Sequence, residues 1–479
     1  MPLIRNILAG VLLTTVLSAA TAQAAVVGWG KNNAGQLGAG YTSLYSSIPI
    51  ANNSPSSVKS ISSGDGFALA LMGDGTVRAW GSNTFGELGT GNQTKTSTPV
   101  AVEGLSNVVA VAAGGTHGMA LLSNGTVMTW GSDLYGELGN GTTAHGNERD
   151  LHSSLVPIPV PHLSDVVGIA AGGANAAAIL ANGTVETWGE GGAGQIGDGT
   201  TVEKPVPTPV AGLTGVKSVV FGGLATHGAH ALALLQNGTV DAWGHNVFGQ
   251  LGDGTTTQRD VPVAVKGLAG VTAISANTSH SLALAGETVM AWGSDSDGQL
   301  GFKPSTVCGG VYKAPCATTP VAVLKGASEV AAGYQYSLAL VGGTVLGWGM
   351  NERGELGNGA TANSATPTPV SGITDALGIA AGARSAFALV NGEAPPRAVE
   401  VVPGVGSLTV NWSAPEQSEC WKIFWRPVAR PEPPWSPFRR LPPAARSYTI
   451  TGLESRPYHI LFWSRSFGSR GVTGTPLAG

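Results

Sequence analysis

The sequence predicts an all-β protein, a seven-bladed β-propeller closed by its N- and C-terminal strands and followed by a small β-sandwich. Two motifs that each recur seven times predict the propeller: a Trp-Gly pair and an apolar run rich in Ala and Leu. The 72 glycines in 479 residues disfavour long helices, and no stretch carries a sustained helical period. A period near fifty residues indicates units that bury their apolar faces only against their neighbours. The pairs are 51, 50, 58, 55, 49 and 56 residues apart and begin at Trp29, Trp80, Trp130, Trp188, Trp243, Trp292 and Trp348.

Each repeat predicts four short antiparallel strands. An apolar run such as "FALAL" or "HSLAL" is joined to the Trp-Gly strand by Asn-Gly or Asp-Gly, a strong hairpin signal because the favoured turn needs positive φ. A Gly-Gln/Glu-Leu/Ile-Gly turn and a Pro-rich stretch such as "TPVAVEGL" follow, and these prolines suit an edge strand. Four-stranded sheets repeated about an axis form a propeller. We expect the apolar runs to be innermost and the Trp side chains to fill the space between blades.

The two ends of the repeat array predict closure of the ring. The first Trp-Gly strand, residues 26–30, has no apolar run before it, and the last apolar run, residues 386–390, has no Trp-Gly strand after it. Pairing these two segments in one blade would remove the last open sheet edges.

The two motifs resemble the repeats of the regulator of chromosome condensation family over about residues 26–391. The resemblance implies a seven-bladed propeller. In that family the best-known activity is nucleotide exchange on a small GTPase, in which a wedge projects from one blade into the partner, and the sequence has no segment that matches it. A bacterial propeller of this type that inhibits β-lactamase acts purely by binding.

The N-terminal segment, residues 1–24, predicts a secretory signal peptide. Arg5 precedes the apolar core "ILAGVLLTTVLSAA", and Ala22-Gln23-Ala24 forms a small-residue cleavage site. The apolar run is short for a bilayer, so we expect a secreted or periplasmic protein without an integral membrane span, and an uncleaved anchor is the alternative. The propeller, residues 25–393, then follows. Residues 25–394 carry 14 basic and 24 acidic side chains, a balance of −10 that disfavours nucleic acid as a partner.

The C-terminal part, residues 394–479, differs in composition and predicts a second domain. Residues 395–479 hold 13 of the 29 prolines and carry 10 basic against 5 acidic residues, a balance of +5. Alternating segments such as "GSLTVNWSAP" predict strands of a β-sandwich. They resemble a fibronectin type III domain, with Trp412, Leu453 and Tyr458 at its core Trp, turn Leu and core Tyr, although the insert "RPEPPWSPFRR" stretches the spacing.

The cysteines predict one disulfide. Cys308 and Cys316 flank a loop inserted in the sixth repeat, and in an exported chain a bridge between them is expected. Cys420 is left over and is interpreted as a buried thiol.

The sequence contains no recognisable catalytic set, cofactor motif or metal-binding pattern, and we expect a protein that is not an enzyme. One repeat position brings polar residues into a ring, which could form a channel for a ligand or a metal, or could bond neighbouring blades to each other. The presence of Phe and Ser in the ring favours the structural interpretation. The ring residues are Phe67, His117, Asn175, His230, His280, Tyr336 and Ser385.

These features favour an exported, monomeric, non-catalytic scaffold that binds an unknown protein through irregular propeller loops. The rivals are a protein that binds carbohydrate or cell-wall glycan, for which Trp435 would stack on sugar, an exchange-like factor for a host GTPase, and an enzyme using the central channel. Aromatic and Arg side chains contribute most of the energy of protein interfaces. The candidate contacts are Arg149 and His152 in the 143–155 loop, Tyr312 and Lys313 in the 302–318 loop, residues 221–230, and Trp435 with Phe438 in the tail.

Overall fold

The computed structural model describes residues 24–54, 57–143, 153–224 and 227–391, and eight tail segments: 399–404, 407–412, 421–427, 439–441, 447–451, 453–454, 458–464 and 468–474. These residues form strands, turns and loops, and none of them is helical. Accordingly, the described part of the chain has no helix long and apolar enough to cross a membrane.

The strands up to residue 391 build the propeller. In chain order they are β1 (Ala24–Lys31), β2 (Tyr45–Ala51), β3 (Val58–Ser63), β4 (Phe67–Met72), β5 (Val77–Gly81), β6 (Thr96–Ala101), β7 (Val108–Ala113), β8 (His117–Leu122), β9 (Val127–Ser132), β10 (Ser153–Pro159), β11 (Val166–Gly172), β12 (Asn175–Leu180), β13 (Val185–Gly189), β14 (Lys204–Pro209), β15 (Val216–Leu224), β16 (His227–Leu235), β17 (Val240–Gly244), β18 (Arg259–Ala264), β19 (Val271–Asn277), β20 (His280–Ala285), β21 (Thr288–Ser294), β22 (Thr306–Cys308), β23 (Ala314–Leu324), β24 (Ala327–Gly333), β25 (Tyr336–Val341), β26 (Thr344–Gly349), β27 (Ser364–Pro369), β28 (Ala376–Ala381) and β29 (Ser385–Asn391).

Seven antiparallel sheets form the seven blades. Blades 1 to 4 are β3-β4-β5-β6, β7-β8-β9-β10, β11-β12-β13-β14 and β15-β16-β17-β18, each in spatial order. Blade 5 is β19-β20-β21-β23-β22, blade 6 is β24-β25-β26-β27, and blade 7 is β28-β29-β1-β2. Blade 7 therefore combines both ends of the array, with residues Ala24 to Gly30 of β1 paired to Asn391 to Ser385 of β29.

The expectation that the apolar Ala/Leu runs are innermost is wrong. The channel is lined by the first strand of each blade, such as β3 and β7, and the apolar run forms the second strand. All six residues of β4 are buried, because this strand has a strand on either side and a neighbouring blade on each face. Small side chains are needed wherever a strand is buried on both faces, so they do not by themselves identify the axis.

The described strands of the tail are β30 (Val399–Gly404), β31 (Ser407–Trp412), β32 (Trp421–Pro427), β33 (Arg439–Leu441), β34 (Ser447–Thr451), β35 (Tyr458–Ser464) and β36 (Gly468–Gly474). They form two further sheets, β30-β31-β34 and β33-β32-β35-β36. Leu408 and Val410 of β31, Ile450 of β34 and Tyr458 of β35 are buried.

Candidate functional site

A ring of tryptophan joints holds neighbouring blades together. Each of the seven Trp side chains is fully buried and donates its indole N–H to a backbone carbonyl of the preceding blade, at 2.7–2.9 Å. A buried indole needs such an acceptor, and its large ring fills the interblade space. The donor and acceptor pairs are Trp80 and Gln36, Trp130 and Glu87, Trp188 and Glu137, Trp243 and Gln195, Trp292 and Gln250, Trp348 and Gln299, and Trp29 and Glu355.

The acceptor residues are the Gln and Glu of the repeated turns, and their side chains shape those turns. The side-chain oxygen of Gln250 accepts a hydrogen bond from the backbone N–H of Phe248 at 2.9 Å, and Glu137 makes the equivalent bond to Tyr135 at 2.7 Å. Burial raises the pKa of Glu137 to about 7 and also raises that of Glu87 and Glu355. The carboxyl groups accept hydrogen bonds from the backbone of the turn, and this structural role explains why Glu or Gln recurs at the position.

Six of the seven ring residues begin the second strand of their blade, and His230 lies three residues into β16. Each pairs with the Gly of the Trp-Gly unit; His230, for example, is opposite Gly244. They are buried between blades and do not line the channel. Their observed polar contacts go to neighbouring chain segments: the Tyr336 hydroxyl donates to the Ser385 carbonyl at 2.8 Å, and the Asn175 amide to the Glu190 carbonyl at 2.6 Å. This arrangement agrees with the structural interpretation of the ring.

Two of the ring histidines join a bonded relay between blades. His230 Nε2 lies 2.8 Å from Ser281 Oγ, whose hydroxyl is 2.8 Å from the Gln250 carbonyl. A carbonyl oxygen can only accept a hydrogen bond, so the Ser281 hydroxyl donates to the Gln250 carbonyl. The Ser281 oxygen must then accept a hydrogen bond from His230, whose neutral ring carries its proton on Nε2. His280 makes the same relay, with Nε2 3.0 Å from Ser337 Oγ, which donates to Gln299.

The third histidine, His117, lacks this relay. It is fully buried, and neither ring nitrogen has a hydrogen-bond partner. The cause is one substitution in the next blade, where Ala176 occupies the position taken by Ser281 and Ser337 in the other two cases. Burial lowers the pKa of His117 and His280 to about 4, and burial with the charge of neighbouring histidines lowers that of His230 to about 3. All three are therefore neutral at pH 7.

The central channel has a volume of about 280 Å³ and is lined by the first strands of the blades. Its polar side chains connect neighbouring strands: Ser62 accepts from the backbone N–H of Ala113 at 2.9 Å, and Glu329 from that of Ile379 at 3.0 Å. Burial raises the pKa of Glu329 to about 7. Among the described residues, no three His, Cys, Asp or Glu side chains group in a way that could hold a metal ion. Ser62 and Glu329 therefore each join one blade to the next along the channel wall.

Among the described residues, the most exposed apolar side chains lie on a hairpin of blade 5, the only described blade with five strands. The hairpin consists of β22, the start of β23 and the connecting tip, residues 309–313. Val311 is 93% exposed and Tyr312 82% exposed, and Lys313 is also exposed. The tip projects at the end of the propeller that carries the Gly-Gln/Glu-Leu/Ile-Gly turns, which we call the loop face.

The base of this hairpin is held in place. Gly309 has φ +97° and packs directly on the Phe248 ring in the turn of blade 4, so a side chain at 309 would collide with that ring. The Cα atoms of Cys308 and Cys316 are 5.8 Å apart, a separation suited to a disulfide. The hairpin therefore presents an exposed aromatic tip on a packed base.

The candidate contact residues divide into two groups. Tyr312 and Lys313 lie together on the hairpin tip, and residues 221–224 and 227–230 of the 221–230 segment lie at the ends of β15 and β16. Arg149, His152, Trp435 and Phe438 lie outside the described residues. Sequence reasoning missed Val311 and Phe248; Val311 could have been found from the "GGVYK" turn between the two cysteines.

Comparison with known proteins identifies the architecture. Residues 3–309 match the sequence model of the RCC1-like domain, and residues 342–389 match that of the regulator of chromosome condensation (RCC1) repeat. The chain is 32% identical over 213 residues to the ultraviolet-B receptor UVR8 of Arabidopsis thaliana, covering 43% of this chain and 46% of that protein. It is 29% identical over 395 residues to the secretion-regulating guanine nucleotide exchange factor of Bos taurus, covering 76% of this chain and 82% of that protein.

The fold is shared with the solved structure of Prp20p from Saccharomyces cerevisiae, which was studied with its binding to Gsp1p and histones. The two chains are 24% identical with a TM-score of 0.66, over 78% of this chain and 93% of Prp20p. This likeness establishes the seven-bladed all-β propeller. The chain spans less than half the length of UVR8, so the activity of that whole receptor is not carried over.

Proposed function

The chain belongs to the RCC1-like domain family. We propose that it is an exported, non-catalytic scaffold that binds a protein partner through the loop face. The observation that carries the proposal is the hairpin tip, where Val311 and Tyr312 are almost fully exposed on a held base. Exposed apolar and aromatic side chains on a preorganised element are typical of protein contacts. The binding reported for Prp20p belongs to that protein and supports a protein partner here by analogy.

Site-specific photo-crosslinking tests this function. The photoreactive residue p-benzoylphenylalanine is placed at Tyr312 and, as a matched control, at Leu377, which is 49% exposed near the start of β28, at the end of the propeller opposite the loop face. We expect one or more discrete protein adducts from position 312 in the native producer and none of these from position 377. Equal adducts from both positions, or none from position 312, would contradict a partner bound through the hairpin.

Export is proposed from residues 1–24 and from the cysteine pair. The predicted signal and the 5.8 Å Cα separation of Cys308 and Cys316 both support an oxidising compartment. We expect intact-mass analysis to find a mature chain that begins after Ala24, with both cysteines protected from alkylation until reduction. An uncleaved N-terminus with freely alkylated Cys308 and Cys316 would overturn the proposal.

The finer architecture is also part of the proposal. The pairing of β1 with β29 supports closure of the ring by the chain ends, and the two tail sheets support a sandwich of fibronectin type III type. Deleting residues 25–31 from the mature chain should abolish cooperative unfolding of the propeller, because two blade edges would be left without partners. A sharp, unchanged unfolding transition would rule out closure by these strands.

Nucleotide exchange on a small GTPase is a second candidate. It is favoured by the match over 82% of the secretion-regulating exchange factor of Bos taurus. Release of a fluorescent GDP analogue from a panel of small GTPases distinguishes the candidates, since a pure scaffold leaves the release rate unchanged. Binding to carbohydrate rests on Trp435, outside the described residues, and no described feature favours it.

A further inference from the structure

The outer edge of blade 5 is open, and the register of its hairpin fixes which backbone groups face outwards. In this hairpin Thr306 pairs with Cys316, Val307 with Pro315, and Cys308 with Ala314. Proline has no N–H, so Val307 and Pro315 cannot exchange two hydrogen bonds and must be a non-hydrogen-bonded pair. The N–H and C=O of Val307 therefore point away from β23.

An independent contact agrees with this assignment. The Pro315 carbonyl accepts a hydrogen bond from the backbone N–H of Asp295 at 2.7 Å, on the β21 side of the sheet. In an antiparallel ladder both groups of one residue point to the same side, so the groups of Val307 point to the opposite, outer side. No described strand pairs with that outer side.

We propose that β22 binds an extended segment of a partner protein as a sixth strand of blade 5, and that this segment carries an acidic side chain beside Lys313. The inference rests on the proposed scaffold function and names the chemistry of its partner. Strand addition of this kind takes affinity from main-chain hydrogen bonds and specificity from alternate side chains.

The space beside this edge suits such a strand. A groove of about 770 Å³ lies between β22 and blade 4 and is lined by Val247, Thr256, Val307, residues 308–310 and Lys313. Val247 is 37% exposed and Val307 61% exposed, so the groove offers two apolar side chains to an extended chain. The Gly309 contact with Phe248 fixes the groove before binding, which lowers the entropy lost on association.

The charge of this region selects an acidic segment. Residues 298–328 contain Lys303, Lys313 and Lys325 and no Asp or Glu, within a propeller region whose balance is −10. Lys313 lies at the groove itself, whereas Lys325 follows β23 at the opposite end of the blade, where Leu324 pairs with Val289. An acidic side chain in the added strand would therefore find its opposite charge at one end of the groove.

Selection from a displayed peptide library tests the proposal with the full-length exported protein. The library holds nine-residue peptides of alternating Val and Thr in which one position is Asp, Asn or Lys. We expect Asp peptides to be enriched about tenfold over Lys peptides, as for one favourable charge contact. Failure to enrich any peptide, or preference for Lys, would overturn the proposal.

Backbone pairing is tested by paired variants at one position. Val307→Pro removes the outward N–H without removing a ladder bond of the hairpin, and Val307→Thr keeps it. We expect the selected peptides to lose at least about tenfold in affinity for Val307→Pro and to bind Val307→Thr normally, with both variants unfolding at the same denaturant concentration as the wild type. Equal binding to both variants would disprove strand addition.

Charge is tested in the same way. Lys313→Glu should reverse the preference from Asp to Lys peptides, and Lys325→Glu, which changes net charge equally, should not.

Peptide binding that survives Val307→Pro while the crosslink from position 312 persists would end this inference and leave the scaffold function intact. Capture of phosphatidylglycerol vesicles sensitive to Lys313→Glu alone, or a dimer in sedimentation abolished by Val307→Pro, would replace the peptide by a membrane or a second copy and overturn it.

Discussion

The tryptophan joints and the blade 5 hairpin use side chains in opposite ways. The joints occur seven times, bury their aromatic rings completely and bond every indole N–H. The hairpin occurs once, and it exposes Tyr312 and Val311 while leaving a backbone edge open. The contrast indicates that repeated residues maintain the ring and that departures from the repeat are where a partner can be recognised.

The ring histidines show the same contrast on a smaller scale. His230 and His280 each reach a serine in the next blade, whereas His117 faces Ala176 and has no partner. A repeated position therefore does not guarantee a repeated interaction, since half of each contact is supplied by a residue about fifty positions away.

The largest effect is expected from removing a joint. Trp243→Ala should destabilise the propeller by about 3–5 kcal/mol, because it creates an interblade cavity and leaves the Gln195 carbonyl unpaired. Trp243→Phe, which keeps most of the ring and loses the bond, should cost about 1–3 kcal/mol. Urea unfolding measures the loss in free energy of unfolding for both variants. If Trp243→Ala lost less stability than Trp243→Phe, the joint would not be a stabilising contact.

A pH-dependent effect is expected at the turn carboxyl Glu137. Its pKa rises from the ordinary 4.5 to about 7 in the folded protein, so its contribution to stability declines as pH rises through that interval. Glu137→Gln, which places the residue of four other turns at this site, should stabilise the protein by up to about 3 kcal/mol at pH 8 and hardly at all at pH 4.5. Unfolding at both pH values checks this, and an equal gain at both would exclude ionisation as the cause.

A smaller gain is expected from completing the third histidine relay. Ala176→Ser should give His117 a hydroxyl partner and raise stability by about 0.5–1.5 kcal/mol. The reverse change, Ser281→Ala, should lower it by about 1–3 kcal/mol by leaving His230 Nε2 unpaired. Thermal unfolding of both variants tests the pair, and the same sign for both changes would contradict the relay.

The smallest effect on stability is expected at the hairpin tip. Tyr312→Ser should alter the free energy of unfolding by less than about 0.5 kcal/mol, since the side chain is 82% exposed. It should nevertheless weaken partner capture, which can be followed by crosslinking from position 311 in the variant. If the Tyr312→Ser variant captured the partner as well as the wild type does, Tyr312 would not be part of the contact surface.

The number of blades could be predicted because one motif, Trp-Gly, makes the same joint each time it occurs. Strand order within a blade could not, since Ala-rich runs such as β4 suit any strand buried on both faces. The bonding of His117 depends on Ala176 in another blade, which no single repeat reveals. The open edge of β22 depends on the pairing of Val307 with Pro315, a register that only the folded hairpin defines.

The seam in blade 7 has a consequence for where the chain can begin. Trp29, in the N-terminal strand of blade 7, donates to the Glu355 carbonyl of blade 6 at 2.8 Å, and Trp243 makes the same bond to Gln195 at 2.9 Å between blades that are continuous in the chain. The joint beside this seam is therefore of the same kind as the joints between blades that are continuous in the chain. A permuted gene that opens in the Asn237-Gly238 turn and links the native ends would preserve every indole bond.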